Sequence, residues 1–204
     1  MLIEMAKRSY TLKKRAENRD ETHARIVAAA AALHEELGPA QTTISAVADR
    51  AGVQRLTVYR HFADEAALFA ACTAHWLDRH PLPDPARWQD IADPAEKLLT
   101  ALTALYTYYR GTRRMWAASL RDAEAVPALQ GPLAEAAASL ADYAARLAAG
   151  PVSAGAAGPA ARATLGHAVQ FACWASLDAQ GLDDGEMADL VLGWLGGLRP
   201  ARKA

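Results

Sequence analysis

Cysteine is nearly missing from this chain: Cys72 and Cys173 are the only two in 204 residues. That is too few for the disulfide framework that staples small exported proteins. Aromatic residues make up 7% and β-branched residues are sparse, so little here favours strands. Alanine and leucine are plentiful instead, which favours an all-α fold. Long apolar runs are lacking too. The longest uncharged stretches, residues 147–161 and 163–177, hold 15 residues each, short of the roughly 20 that span a bilayer. The opening MLIEMAKR has no apolar core of the kind a signal peptide needs. A reducing cytoplasm and no membrane segment are therefore expected. A surplus of charge is also absent, since the formal net charge is -1, and this argues against a general polyanion binder.

Charge is nonetheless unevenly placed. Residues 1–62 hold 10 Lys+Arg against 7 Asp+Glu and the remainder 12 against 16, so a head of +3 precedes a body of -4. The chain is long enough for one large or two small domains with a sizeable core.

The most informative stretch is residues 43–62. Ile44, Val47, Ala48 and Ala51 follow the i, i+3, i+4, i+7 spacing of one helical face, and Gly52 follows at once as a stop. A second helix then has Val58 and Phe62 spaced by four, while Gln54, Arg55, Thr57, Tyr59, Arg60 and His61 point away from that stripe. Two short helices across a tight turn, with small Ala48 at the crossing and Gly52 free to take positive φ, read as a helix-turn-helix. The polar and cationic groups left over on the second helix are those that base edges and phosphates in a major groove require.

The run Thr42-Thr43-Ile44, Val47-Ala48, Ala51-Gly52-Val53 and Thr57-Val58-Tyr59-Arg60-His61-Phe62 resembles the DNA-binding segment of TetR-type transcriptional regulators. The resemblance implies an all-α fold of about nine helices: an N-terminal three-helix helix-turn-helix head and a C-terminal helical body for ligand binding and dimerisation. It also implies a mechanism, in which a homodimer binds a palindromic double-stranded DNA operator and represses until a small-molecule effector in the body shifts the heads apart. The DNA-binding candidates are Thr43, Ser45, Gln54, Arg55, Thr57, Tyr59, Arg60 and His61. Arg55 stands near the start of the reading helix, where side chains reach base edges; by the family pattern Thr57, Tyr59 and His61 are mainly phosphate and sugar contacts. One departure is plain. Where such regulators usually carry a lysine after the cap of the fourth helix, this chain has Asp64-Glu65-Ala66.

Around this head the chain divides into a basic arm (1–20), the helix-turn-helix domain (21–66) and the ligand-binding and dimerisation domain (67–204). The arm, with Lys7, Arg8, Lys13, Lys14, Arg15 and Arg19, has no apolar period and is expected to be mobile, either an extra DNA contact or a solvated tail. A helix over 21–37 has Asp20 as its cap and Gly38-Pro39 as its stop. Asp64 caps a longer helix to about residue 80. Asp93-Pro94 begins a strongly periodic helix that Gly111 ends; another runs over 115–124, and Pro127 starts one that closes at Gly150. A Gly, Pro and Ala-rich loop over 150–159 is expected to be mobile. Two charge-poor helices, about 160–178 and 184–198, form the expected homodimer seam.

Within the body, His75, Trp88, Tyr106, Tyr109, Met115, Trp116, His167, Gln170, Phe171 and Trp174 are candidates for an effector pocket, because tryptophan and tyrosine offer apolar area plus one polar handle. The simpler reading of each is core packing. Cys72 with His75, and His167 with Cys173, admit a metal or thiol sensor, but the second pair is six residues apart, on different helix faces, and two buried thiols account for both cysteines. No Ser-His-Asp, paired-carboxylate or glycine-loop arrangement stands out, so neither an enzyme nor a cofactor is expected. The competing reading is an all-α small-molecule-binding or enzymatic protein with an incidental helix-turn-helix.

Overall fold

The computed structural model of the protein describes the backbone of residues 2–149 and 158–198, with side chains from Lys14 onward within them. Among the described residues there are nine α-helices and no strand: α1 (Leu2–Glu36), α2 (Ile44–Ala51), α3 (Arg55–His61), α4 (Glu65–Arg79), α5 (Pro94–Asp122), α6 (Gln130–Ala148), α7 (Gly158–Ala168), α8 (Phe171–Asp178) and α9 (Asp184–Gly196). The chain forms two compact units. The first comprises residues 1–80 and 117–130, the second 81–116 and 131–204. Compaction therefore keeps α4 with the head and returns the last turn of α5 to it, a division that chain order alone does not suggest.

In the first unit α1 packs on α2 and α4, and Ile26, Val27, Ala30 and Leu33 of α1 are buried there together with Val47 and Ala48 of α2, Val58 and Phe62 at α3, and Leu68 of α4. Asp20 does not cap this helix, and residues 2–20 are helical in continuation of it. The reason is local. Neither glycine nor proline occurs before Gly38, Lys, Arg, Glu and Ala all propagate a helix well, and an extension of an anchored helix needs no new nucleus. The missing apolar period marks only a helix without a core to face: residues 14–21 are exposed.

Gly38, at φ 97°, ends the first segment. Its Cβ position is also occupied, by the Arg121 guanidinium and the Asp122 carboxylate. Arg121 Nη2 donates to the Leu37 carbonyl at 3.0 Å, and the Ala40 N–H donates to Asp122 Oδ2 at 3.0 Å. The end of α5 thus holds the turn that leads into α2.

The second unit has one core, built on the inward row Leu98, Leu102, Leu105, Tyr106 and Tyr109 of α5, with Leu140, Tyr143, Leu165, Trp174, Met187 and Val191 around it. As expected, Asp93 caps α5, its Oδ1 accepting from the Glu96 N–H at 2.8 Å. Gly111 does not end the helix, nor is 115–124 a separate one: α5 runs unbroken for 29 residues. A mid-helix glycine costs only about 1 kcal/mol relative to alanine, and packing on both sides of Gly111 outweighs that. Pro127 opens a 3-10 turn (Pro127–Leu129) rather than α6 itself.

The single helix expected over about 160–178 is divided between α7 and α8. No glycine or proline marks the break. It is favoured instead from α5, where the buried Tyr106 hydroxyl donates to the Ala168 carbonyl at 2.9 Å and Tyr109 to Val169 at 2.7 Å. Buried hydroxyls need acceptors, and these two carbonyls have been released from helical pairing. The helix total thus agrees with expectation only because one merger offsets one division. Leu165 and Val169 are consequently buried while Ala172 and Ser176 are exposed, so the four do not share a face. Of the loop expected over 150–159, only Gly158 and Pro159 lie within the described residues, where they open α7.

Candidate nucleic-acid interface

Thr43 sets the start of α2, its Oγ1 accepting from the Ala46 N–H at 3.2 Å. Gly52 ends α2 in the left-handed conformation at φ 66°, and the Val53 N–H closes the turn on the Ala48 carbonyl at 2.9 Å. The glycine stop read from sequence is therefore present. Helix α3 follows with Gln54 at its N-cap. Val58 and Phe62 are buried, and Gln54, Arg55, Tyr59 and Arg60 are exposed. Packing consumes one stripe of α3 and leaves the rest to solvent.

Thr57 and His61 are only half-exposed. The His61 ring lies 6.0 Å from that of His23 on α1, and burial, with His23 and Arg19 nearby, lowers its pKa. Leu56, absent from the sequence candidates, is 59% exposed on the same helix. Its signal in the sequence is its register: two residues before Val58, it has no place in the buried stripe. An exposed leucine among polar readers suits the C5-methyl group of thymine.

Thr43, Ser45 and Arg55 line one cavity of about 420 Å³ together with Glu65, Ala66, His34, Val126 and Ala128. Glu65 therefore stands on the side of the head that carries three of the candidate readers. Asp64 caps α4, accepting from the Ala67 N–H at 2.7 Å. An exposed bidentate pair, Arg50 to Glu36 at 2.9 and 2.7 Å, ties α2 to α1, and solvent screens it.

Cys72 faces His34 rather than His75: its sulfur lies 3.5 Å from His34 Nδ1, and the thiol donates to the Phe69 carbonyl at 3.1 Å. Burial raises the thiol to about 11, which keeps it neutral and unreactive. Among the described residues no group of three or more His, Cys, Asp or Glu side chains is arranged to hold a metal. Burial also lowers the His34 imidazole to about 4, outweighing Asp122, which raises it. A buried histidine with a depressed pKa is stabilising when neutral. Between about 6.5 and about 4 the unfolded chain takes up a proton that the folded chain refuses, so stability falls as pH drops through that window. The full loss is on the order of 3 kcal/mol. Urea unfolding between pH 7.5 and 4 checks this, because His34→Gln should flatten the acid limb.

The effector-pocket candidates divide. Tyr109, Trp116, Phe171 and Trp174 form one aromatic cluster, with Tyr109 edge-on to Trp116 at 5.5 Å and Phe171 at 5.4 Å, and Trp116 stacked on Phe171 at 5.8 Å. Tyr106 is buried in the same core, and Trp88 packs edge-on against Tyr143 at 5.1 Å. The hydroxyls of Tyr106 and Tyr109 are committed to backbone carbonyls and offer no polar handle. Met115 is half-buried, whereas His167 and Gln170 are exposed, Gln170 Nε2 donating to the Gly166 carbonyl at 3.1 Å. His75 belongs to α4 in the first unit. Within the cluster the indole Nε1–H groups of Trp116 and Trp174 are both buried with no acceptor.

Residues 26–72 match the family model for bacterial regulatory proteins of the tetR family. No curated protein matches the chain. Similar solved structures include a TetR-like transcriptional regulator from Rhodococcus sp. RHA1, 22% identical with a TM-score of 0.61 over 86% of this chain and 94% of that one. NalD of Pseudomonas aeruginosa, described as the secondary repressor of the MexAB-OprM multidrug efflux pump, is 23% identical with a TM-score of 0.60, over 89% of this chain and 98% of its own. The multidrug binding protein EbrR, solved with imidazole, is 23% identical with a TM-score of 0.53, over 89% and 96%. Residues 26–72 thus match the helix-turn-helix model of the tetR family, and the chain that carries them has the TetR-type fold.

Proposed function

We propose that this protein is a repressor that binds a palindromic operator as a homodimer and is released by a small molecule held in its body. The observation that carries the reading is the division of α3, where Val58 and Phe62 are buried while Gln54, Arg55, Leu56, Tyr59 and Arg60 remain exposed. Packing alone does not call for such a set of side chains on so short a helix. A DNA partner also places the protein in the cytoplasm.

For the effector, the cluster of Tyr109, Trp116, Phe171 and Trp174 favours a flat or bulky apolar molecule, with the unpartnered N–H groups of Trp116 and Trp174 as donors to its acceptor atoms. NalD and EbrR, connected by their descriptions with multidrug efflux and multidrug binding, agree with an apolar ligand of this kind. Such a molecule acts as inducer only by binding the non-operator conformation more tightly, since equal affinity for both shifts nothing.

The test is a gel shift on the promoter beside the protein's own gene. Arg55→Ala should weaken binding by about 1 to 3 kcal/mol and relax base preference at one position of each half-site. Uniform weakening on every sequence would make Arg55 a phosphate contact instead. No binding by the wild-type chain to that promoter or to a randomised operator library would overturn the proposal.

A further inference from the structure

In the described part of the helical extension of α1 the two arginines share a face. Arg15, Arg19 and His23 recur every four residues, which places them in one row on the helix. Glu17, Asp20 and Glu21 fall on the other side of the helix, and so does Lys14. The cationic row is also in register with the packing stripe of α1: Arg15 and Arg19 precede Ile26 by three turns and two, and Ile26 leads on to Ala30 and Leu33, all buried in the head. The extension therefore presents Arg15 and Arg19 on the same side as the one by which α1 grips the helix-turn-helix.

The junction fixes where that side points. The His23 ring packs 4.7 Å from Phe62 and 6.0 Å from His61, at the end of the reading helix. Arg19, one turn further out, is near enough to depress the His61 pKa. Lys14, Arg15 and Arg19 are exposed, and none of the ion pairs among the described residues engages them. From His23 back to Leu2 the helix extends about 30 Å at ~1.5 Å per residue, nearly one turn of duplex DNA. In sequence the same register reaches Arg8.

We infer that this row is a phosphate-binding rail, which lies along the DNA backbone flanking each half-site and adds sequence-independent affinity beyond the bases that α3 reads. The inference rests on the DNA-binding reading above and deepens it. The rail replaces a single fixed phosphate contact by a line of arginines, whose forked donors suit phosphate oxygens.

The test is Arg15→Gln with Arg19→Gln, a pair that keeps good helix formers at both sites. The log-log salt slope of operator binding should become shallower by about 0.9 for each phosphate no longer neutralised, up to about 3.6 for two phosphates under each of two protomers. Affinity should drop by the same factor on operator and scrambled DNA, and the footprint should shorten at both flanks. Arg15→Lys with Arg19→Lys should restore most of the slope, and Asp20→Asn, on the other face, should not reduce it. An unchanged slope and footprint in a variant that still binds DNA would overturn the rail and leave the repressor reading intact. Altered base preference at constant slope would overturn it as well, by making the row a base reader. Failure of the wild-type chain to bind DNA would remove the reading beneath it.

Discussion

Ala172→Arg is expected to give a folded monomer that no longer binds its operator. Ala172 is exposed on α8, between Phe171 and Cys173, which are buried in the body core. A new arginine there points away from that core and leaves it intact. What it disturbs, on the homodimer reading proposed above, is the surface that α8 and α9 would bury against a second copy. Ser176 is exposed on the same helix, and α9 contributes Leu190, 38% exposed, and Gly193, whose missing Cβ would meet nothing within 4 Å. Small residues around an exposed leucine let a second helix pair approach closely, and a buried, unpaired guanidinium costs several kcal/mol at such an interface. The consequence for DNA is larger than for assembly. One reading helix contacts too few bases to define a site, and a two-fold operator requires two heads about 34 to 36 Å apart or a multiple of it. Light scattering should report a halved mass, circular dichroism an unchanged helix content, and gel shift no operator complex. Dimers that persist would move the interface elsewhere on the body.

Glu65→Lys should act in the opposite sense and tighten binding on all sequences alike. Glu65 opens α4 and shares a cavity rim with Thr43, Ser45 and Arg55. Its charge suits the positive end of the helix dipole. The same charge repels a phosphate backbone approaching that rim. Fold stability and DNA affinity therefore pull against each other at this residue, and lysine reverses both. The salt slope should steepen by about 0.9 per added phosphate contact in each subunit, while thermal unfolding loses about 0.5 kcal/mol. An unchanged slope would mean that the phosphates pass clear of Glu65. The experiment complements the rail variants: one adds a phosphate partner at α4, the other takes phosphate partners away from α1.

Much of the head was legible because its information is local. The spacing of Ile44, Val47, Ala48 and Ala51, the stop at Gly52 and the Asp64 cap each act within one helical turn, where propensity, capping and positive φ decide the outcome. Leu56 was legible in principle, as an apolar residue out of register, but periodicity directs attention to residues that fit the stripe rather than to those that break it. The extent of α1 is not legible in the sequence for a related reason: apolar periodicity detects a core-facing surface, and an exposed helix without one leaves no trace in it.

By itself, then, the sequence determined the helical class, the helix-turn-helix and the polar set on its reading face. Tertiary structure decided what distant residues impose on one another. Gly111 remains helical because packing on both sides of it exceeds a cost of about 1 kcal/mol. The division at Val169 depends on hydroxyls of Tyr106 and Tyr109, 62 and 60 residues away from the carbonyls they bind. Arg121 and Asp122 hold the turn at Gly38 across 80-odd residues of chain, and Cys72 meets His34 of another helix rather than His75 of its own. In each case the deciding partner lies far along the chain, and a buried polar group is satisfied by whichever partner folding brings within hydrogen-bond reach, a choice that local spacing does not encode.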